Sequence, residues 1–274
     1  MRHILVSLAL LLAPPALAQD APCGEGAPCE VAGGTYHLMT PEDWDGETPL
    51  PALIFYHGHR GSGAQVFRSA GLKADFVDHG YLLIAPDGAM REGENYRAWP
   101  AREGSARDDV AFTLAVIDDV ARQMPLDRER VYASGFSAGG SMAWLLACRA
   151  GDRLAGMVSV SGALRRPNPY DCPGLSLPVM QIHGWSDGQV PLEGRGIGDW
   201  HQGSVWNSLE LARQANGCRS NPDEIGVDER FRTRDWSASC GSGAPVRLAL
   251  HDGGHGLPQG WTAMARDFLE DASR

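Results

Sequence analysis

From residue 50 onward, short apolar runs rich in β-branched and aromatic residues alternate with stretches whose apolar side chains recur at helical spacing. The runs at 53–56, 81–85, 130–136, 157–160, 179–182 and 246–251 read as strands, and 64–79, 138–150, 203–215 and 260–271 as helices. A further helix opens at Asp108 and Asp109, with apolar positions at Val110, Leu114, Ile117 and Val120. A strand with no polar face must be covered on both sides, and the helices between strands supply the cover. The pattern therefore predicts an α/β fold with a mostly parallel central sheet and helices on both faces. No low-complexity linker or internal repeat interrupts it, so 19–274 is expected to form one domain. In such sheets ligands collect at the carboxyl ends of the strands. The loops after Tyr56, Ala85, Phe136, Ile182 and Leu250 are expected to meet there.

One of those loops carries Gly135-Phe136-Ser137-Ala138-Gly139, a G-x-S-x-G pattern. Glycine fills 34 of 274 positions, so the pattern needs structural context before it means anything. The context is a strand before it and a helix after it, the arrangement that lifts a serine oxygen clear of a sheet. A serine hydroxyl is a weak nucleophile until a base removes its proton. In this architecture the base is a histidine late in the chain, with an acid between the two. His255, in a glycine-rich loop after the last strand, is preferred over His251, which ends that strand. Asp187, in the loop after 179–182, is preferred as the acid; Asp252 is too near His255 in sequence, and Asp87 precedes the serine. The two donors needed to stabilise a tetrahedral oxyanion are assigned to the backbone N–H groups of Ala138 and His59. His57-x-His59 has no third ligand at a recognised spacing, which argues against a metal, and no cofactor motif is present.

Composition narrows the remaining classes. With 24 Lys+Arg against 34 Asp+Glu the net charge is −10 and no basic cluster exists, which argues against nucleic acid and anionic membranes as partners. Residues 1–18 read as a secretory signal peptide: Arg2 and His3, an apolar core, and an Ala16-Leu17-Ala18 cleavage site. The apolar core is broken by Pro14-Pro15 and is too short to span a bilayer. Export and an even count favour three disulfides among Cys23, Cys29, Cys148, Cys172, Cys218 and Cys240. Proximity suggests Cys23–Cys29, Cys148–Cys172 and Cys218–Cys240, with a structural zinc as the alternative.

The chain resembles the α/β-hydrolase superfamily, and within it the secreted esterases grouped as poly(3-hydroxybutyrate) depolymerases and feruloyl esterases. The carrying segments are Phe55-Tyr56-His57-Gly58, Asp127-x-x-Arg130-Val131-Tyr132, Gly135-Phe136-Ser137-Ala138-Gly139-Gly140-Ser141-Met142, His183-Gly184-x-x-Asp187-x-x-Val190-Pro191 and Gly253-Gly254-His255. The resemblance implies Ser137 as nucleophile, Asp187 as acid and His255 as base, and bridged cysteines at positions like Cys148–Cys172 and Cys218–Cys240. The expected activity is hydrolysis of hydroxyalkanoate oligomer or hydroxycinnamate esters through an acyl-enzyme. Many relatives carry Trp-Pro just after the histidine, where this chain has Gly256-Leu257-Pro258. There is no Ser/Thr-rich linker or polymer-binding module, which disfavours crystalline polyester as substrate. A prolyl-oligopeptidase-type peptidase, an acyltransferase and a non-catalytic binding protein stand as the alternatives.

Trp99 and Trp185 are available as an aromatic platform for substrate, or equally as anchors for their own loops. Arg97, Arg102 and Arg107 are available to bind a substrate carboxylate, but the Glu and Asp residues among them favour a solvated mixed-charge loop. Arg195 and Arg60 stay undecided. Nothing in the sequence sets the oligomeric state.

Overall fold

The computed structural model describes residues 23–272 except 25–26, 102–104, 167–171 and 228–229. The expected signal peptide at 1–18 and Arg102 lie outside the described residues. In chain order the strands are β1 (Cys29–Val31), β2 (Gly34–Met39), β3 (Leu50–Tyr56), β4 (Leu82–Pro86), β5 (Ala89–Met90), β6 (Arg97–Ala98), β7 (Leu126–Phe136), β8 (Gly156–Val160), β9 (Val179–Gly184), β10 (Gly196–Ile197), β11 (Trp200–His201), β12 (Glu224–Val227), β13 (Phe231–Trp236) and β14 (Val246–His251). The helices are α1 (Gly63–Val66), α2 (Ala70–Asp75), α3 (Asp109–Gln123), α4 (Ala138–Ala150), α5 (Val205–Ala215) and α6 (Trp261–Ala272).

Ten strands form one sheet in the order β1-β2-β4-β3-β7-β8-β9-β14-β13-β12. The six central strands, β4 to β14 in that order, are parallel. Successive side chains of a strand point to opposite faces, and β3 shows this directly. Ala52, Ile54 and Tyr56 join the core under α3, α4 and α5, while Leu53 and Phe55 join the core under α2 and α6. The apolar runs thus form strands because both of their faces have helices to pack against.

The edges depart from an all-parallel reading. β2 pairs antiparallel with β4, and β13 antiparallel with β14 and β12. Antiparallel strands toward the margin of a sheet can be half solvated and carry charge: β13, next to the edge strand β12, buries Phe231 and Trp236 but exposes Arg232. Such segments lack the apolar runs that announce the central strands. The expected helix over 64–79 is broken into α1, α2 and a 3₁₀ turn at Val77–His79. The Ser69 hydroxyl accepts from Leu72 N–H and starts a new helix, and Gly80, at φ 86°, ends the turn in the left-handed region.

α3 forms where expected. The Asp108 carboxylate accepts from the N–H groups of Val110 and Ala111 at 3.0 and 2.9 Å, satisfying two donors that the first turn leaves open. Its buried face is Phe112, Val116, Ile117 and Val120, one step around the helix from the predicted stripe. Val110 and Leu114 pack only at the margin of the core. The three disulfides are Cys23–Cys29, Cys148–Cys172 and Cys218–Cys240. Cys148–Cys172 ties the carboxyl end of α4 to the segment leading into β9. Among the described residues no helix is long and apolar enough to cross a membrane.

Candidate active site

β7 runs into α4 through Ser137, whose backbone sits at φ 59°, ψ −116°. A non-glycine residue there costs roughly 1–3 kcal/mol, and surrounding structure must hold it. The Ser137 N–H donates to Val160 O at 2.8 Å and the Ser141 N–H to Ser137 O at 3.0 Å. Close packing accounts for the flanking glycines. A Cβ on Gly139 would stand 2.0 Å from Tyr56 O, and one on Gly135 would stand 2.4 Å from Gly139 O. Helix and strands approach that closely only without side chains at these two positions.

The loop after β14 brings His255 to this turn. Its Nε2 lies 2.8 Å from Ser137 Oγ and its Nδ1 2.8 Å from Asp187 Oδ2. Asp187 is acceptor-only when ionised, so Nδ1 carries the proton and donates, leaving Nε2 to accept from the serine hydroxyl. The face of Phe136 lies against the imidazole at 5.0 Å. Asp187 is positioned by its own turn: Oδ1 accepts from Gln189 N–H at 2.9 Å and Val190 N–H at 2.8 Å. Burial pushes this carboxyl up, but the bond to His255 and the two backbone N–H groups outweigh that and hold it below the usual carboxylate range.

The rival residues have other partners. Asp87, at the end of β4, accepts from Gly63 N–H at 2.9 Å and Thr35 Oγ1 at 2.7 Å, and lies 3.4 Å from Arg97 Nε. It joins β2, α1 and the β5–β6 hairpin. Asp252 is exposed and bridges to Arg232 at 2.5 Å. His251 Nδ1 accepts from Gly253 N–H within its own turn.

A cavity of about 540 Å³ opens beside Ser137, and both Ala138 and His59 line it. Ala138 N–H heads α4, where the helix dipole is positive. His59 is exposed in the turn after β3, its ring edge-on to Tyr96 at 4.9 Å. Its neighbour His57 is buried: Nδ1–H donates to Gly58 O at 2.7 Å and Nε2 accepts from Gly88 N–H at 2.9 Å. Trp99 is buried in the cavity wall against Tyr56 and His57. It therefore both lines the cavity and anchors its loop. Trp185 is 63% exposed and does not line the cavity.

Sequence reasoning raised Arg107 and left Arg195 undecided, but missed Arg91 and Arg165 in the cavity lining. Arg91, Arg107, Arg165 and Arg195 border the cavity, and among the described residues Glu92 is the one carboxylate in its lining. Arg107 is neither solvated nor a free fork. It ion-pairs with Asp109 at 2.6 Å, donates to Gly33 O and Asp87 O at 3.1 Å, and stacks over Phe112. Arg165 donates to Trp99 O at 2.6 Å and Pro100 O at 2.7 Å, fixing the Trp99 segment. It comes from the loop after β8, a strand whose carboxyl end also reaches this face. Reading that loop with the other five would have brought Arg165 forward.

Parallel strands, a serine elbow and loops carrying Asp187 and His255 make this an α/β-hydrolase fold. The profile of the Dienelactone hydrolase family matches residues 37–196, and the chain belongs to that family. NocK of Nocardia uniformis subsp. tsuyamanensis is 30% identical over 234 residues, 77% of this chain and 66% of that protein. Feruloyl esterase B of Piromyces equi is 26% identical over 243 residues, 85% of this chain and 44% of that protein. The match thus spans less than two thirds of the first relative and less than half of the second. In three dimensions the acetyl xylan esterase from Aspergillus awamori superposes with a TM-score of 0.65 at 13% identity, covering 86% of this chain and 94% of that one.

Proposed function

We propose that this protein is an exported serine carboxylic ester hydrolase in which Ser137, His255 and Asp187 form the catalytic triad. The observation that carries this reading is the unbroken hydrogen-bonded chain Ser137–His255–Asp187 at the mouth of a cavity. Ser137 Oγ attacks the ester carbonyl while its proton passes to His255 Nε2. The N–H groups of Ala138 and His59 stabilise the oxyanion. Collapse breaks the C–O bond, and the alcohol leaves with the proton from His255. Water, deprotonated by the same nitrogen, then cleaves the acyl-enzyme, releasing the acid and restoring the serine. Asp187 stays ionised throughout and holds the imidazole in its Nδ1–H tautomer. The feruloyl esterase among the relatives supports hydroxycinnamate esters as one substrate class, and hydroxyalkanoate oligomers are the other. Three disulfides support an oxidising destination, with 1–18 removed and 19–274 acting as one catalytic domain.

The test is labelling with a fluorophosphonate probe, with turnover of p-nitrophenyl acetate, methyl ferulate, a 3-hydroxybutyrate trimer and a prolyl peptide. Labelling that is lost in Ser137→Ala, with ester turnover exceeding peptide turnover, is expected. Wild-type turnover in Ser137→Ala would overturn the assignment, and efficient peptide cleavage would make the protein a peptidase.

A further inference from the structure

We infer that Tyr96, between β5 and β6, is a positioning residue for the oxyanion hole: its ring clamps the strained His59–Arg60 turn and so holds the His59 N–H beside Ser137. The inference rests on the hydrolase reading above and deepens it, by assigning the support of one oxyanion donor. The turn is Gly58-His59-Arg60-Gly61, closed by Gly61 N–H donating to Gly58 O at 3.0 Å. Its third residue, Arg60, sits at φ 65°, in the left-handed region. A β-turn with positive φ there ordinarily carries glycine or asparagine, because a Cβ crowds the backbone. With negative φ at the same residue the turn still closes, but its central peptide is rotated. A turn with arginine in this place therefore relaxes away from the observed form unless something holds it, and the His59 N–H shifts with it. Packing at the ends of the turn does not reach the strained residue. A Cβ on Gly58 would stand 3.2 Å from Phe136 and one on Gly61 3.0 Å from His57, yet His59 and Arg60 between them are exposed. A second cavity of about 290 Å³ is lined by all four residues of the turn, and His59 also borders the cavity beside Ser137.

The β5–β6 hairpin holds the middle of the turn. Arg60 N–H, the donor of the central peptide, donates to Arg97 O at 3.1 Å, which fixes the direction of that peptide. The Arg60 guanidinium lies over the Tyr96 ring at 4.7 Å from its centroid, and the His59 ring meets the same ring edge-on at 4.9 Å. One aromatic ring thus takes a cation and a ring edge, both favourable contacts, from the two residues that flank the strained peptide. Tyr96 is itself fixed: Arg91 N–H donates to its carbonyl and Arg91 Nη1 to its hydroxyl, both at 3.1 Å. Tyr96 does not line the cavity beside Ser137. Its effect on the reaction therefore runs through the turn and not through contact with substrate.

Two comparisons test this. An oxyanion hole stabilises charge developing on oxygen and serves sulfur, a weaker acceptor, poorly. The ratio of kcat/KM for p-nitrophenyl acetate to that for its thiono (C=S) analogue therefore reads the geometry of the hole. Tyr96→Ala should lower kcat/KM for the oxygen ester by about tenfold or more and shrink the ratio by about threefold or more. Tyr96→Phe, which keeps the ring, should recover most of both. A loss of packing alone would slow both esters alike and leave the ratio where it was. The second comparison reads the strain. Arg60→Ala and Arg60→Gly both remove the guanidinium, but only alanine keeps the cost of positive φ, so the glycine variant should be about threefold or more faster on the oxygen ester. Arg60→Gly added to Tyr96→Ala should restore part of the lost rate and of the ratio. Arg60 is exposed, so this comparison stands even where Tyr96→Ala fails to fold. An unchanged ratio in Tyr96→Ala, or glycine no faster than alanine at position 60, would overturn the inference. If wild type cleaves neither ester, or Ser137→Ala cleaves them as well as wild type, the hydrolase reading falls too; if Ser137 is required and only these comparisons fail, this inference alone falls.

Discussion

His183 and Asp187 lie one turn of chain apart and meet inside the protein, with His183 Nε2 3.4 Å from Asp187 Oδ2. Both side chains are wholly buried. His183 Nε2–H donates to Val190 O at 2.8 Å, Nδ1 accepts from Gln181 Nε2 at 3.0 Å, and Gln181 Oε1 accepts from Trp144 Nε1 at 2.8 Å. Burial holds the His183 imidazole below its ordinary value despite the bond to Val190 and the nearby carboxylate, so it stays neutral with a fixed tautomer. A chain of buried groups from α4 and β9 thus pins the turn that aims Asp187 at His255.

His183 is accordingly a positioning residue for Asp187. His183→Ala leaves the Val190 carbonyl and the Gln181 amide hydrogen that faces His183 without those bonds, each a buried polar group costing about 1–3 kcal/mol, while Gln181 Nε2 keeps its bond to Ile182 O. Expected are a drop in kcat of about tenfold or more and a KM that stays within a few-fold. His183→Gln, which keeps a donor for Val190, should recover part of the kcat. Equal kcat in wild type and His183→Ala would refute the role.

Asp187 also sets a pH dependence. Its folded pKa lies below the unfolded value of about 3.9, so its contribution to stability is complete above that value and is lost as pH falls through the folded pKa. The Tm difference between wild type and Asp187→Asn should therefore narrow as pH is lowered from about 5 to 3. At neutral pH Asp187→Asn should lose about 10⁴-fold in kcat, because Asn favours the wrong imidazole tautomer. A Tm difference that is constant or widens toward pH 3 would contradict the depressed carboxyl.

Gly139→Ala should abolish labelling by a fluorophosphonate. The new Cβ meets Tyr56 O at 2.0 Å and Tyr56 C at 2.5 Å, both backbone atoms of a fully buried strand that has nowhere to move. Gly188→Ala, with nothing within 4 Å of its Cβ, serves as the contrast and should label normally. Normal labelling of Gly139→Ala would show that the strand–helix crossing is looser than these contacts require.

Removing the Cys148–Cys172 bridge by Cys148→Ser/Cys172→Ser releases a chain segment of 24 residues in the unfolded state. The chain-entropy model assigns such a loop roughly 3 kcal/mol, which for a protein of this size lowers Tm by several degrees. Calorimetry on the double variant, with and without reductant, checks this. An unchanged Tm would show that packing alone holds the end of α4.

Local signals account for what was readable in advance. Apolar runs buried on both faces announced β3, β4, β7, β8, β9 and β14, and Asp108 announced the start of α3. The proposed triad was legible for the same reason. Each member sits in a loop at the carboxyl end of a parallel strand, and a parallel sheet puts those ends on one side whatever the details of packing. The antiparallel edges were not legible, because half-solvated strands such as β13 mix charge with apolar residues and resemble loops in one dimension. The Ser69 break between α1 and α2 is a local signal, but it was masked by an apolar pattern continuous enough to read as one helix.

By itself, then, the sequence determined the parallel sheet, the serine elbow and the chain order of Ser137, Asp187 and His255, since each depends on neighbours within a few residues. Only the tertiary structure decided the polarity of the cavity and the support behind Asp187. Arg91, Arg165 and Arg195 come from loops after β5, after β8 and before β10, and the His183 network joins α4 to β9. A charge count sums over the whole surface and predicts repulsion of anions. The field at Ser137 depends instead on which few side chains the fold gathers within a screening length, and that gathering is a property of the folded chain alone.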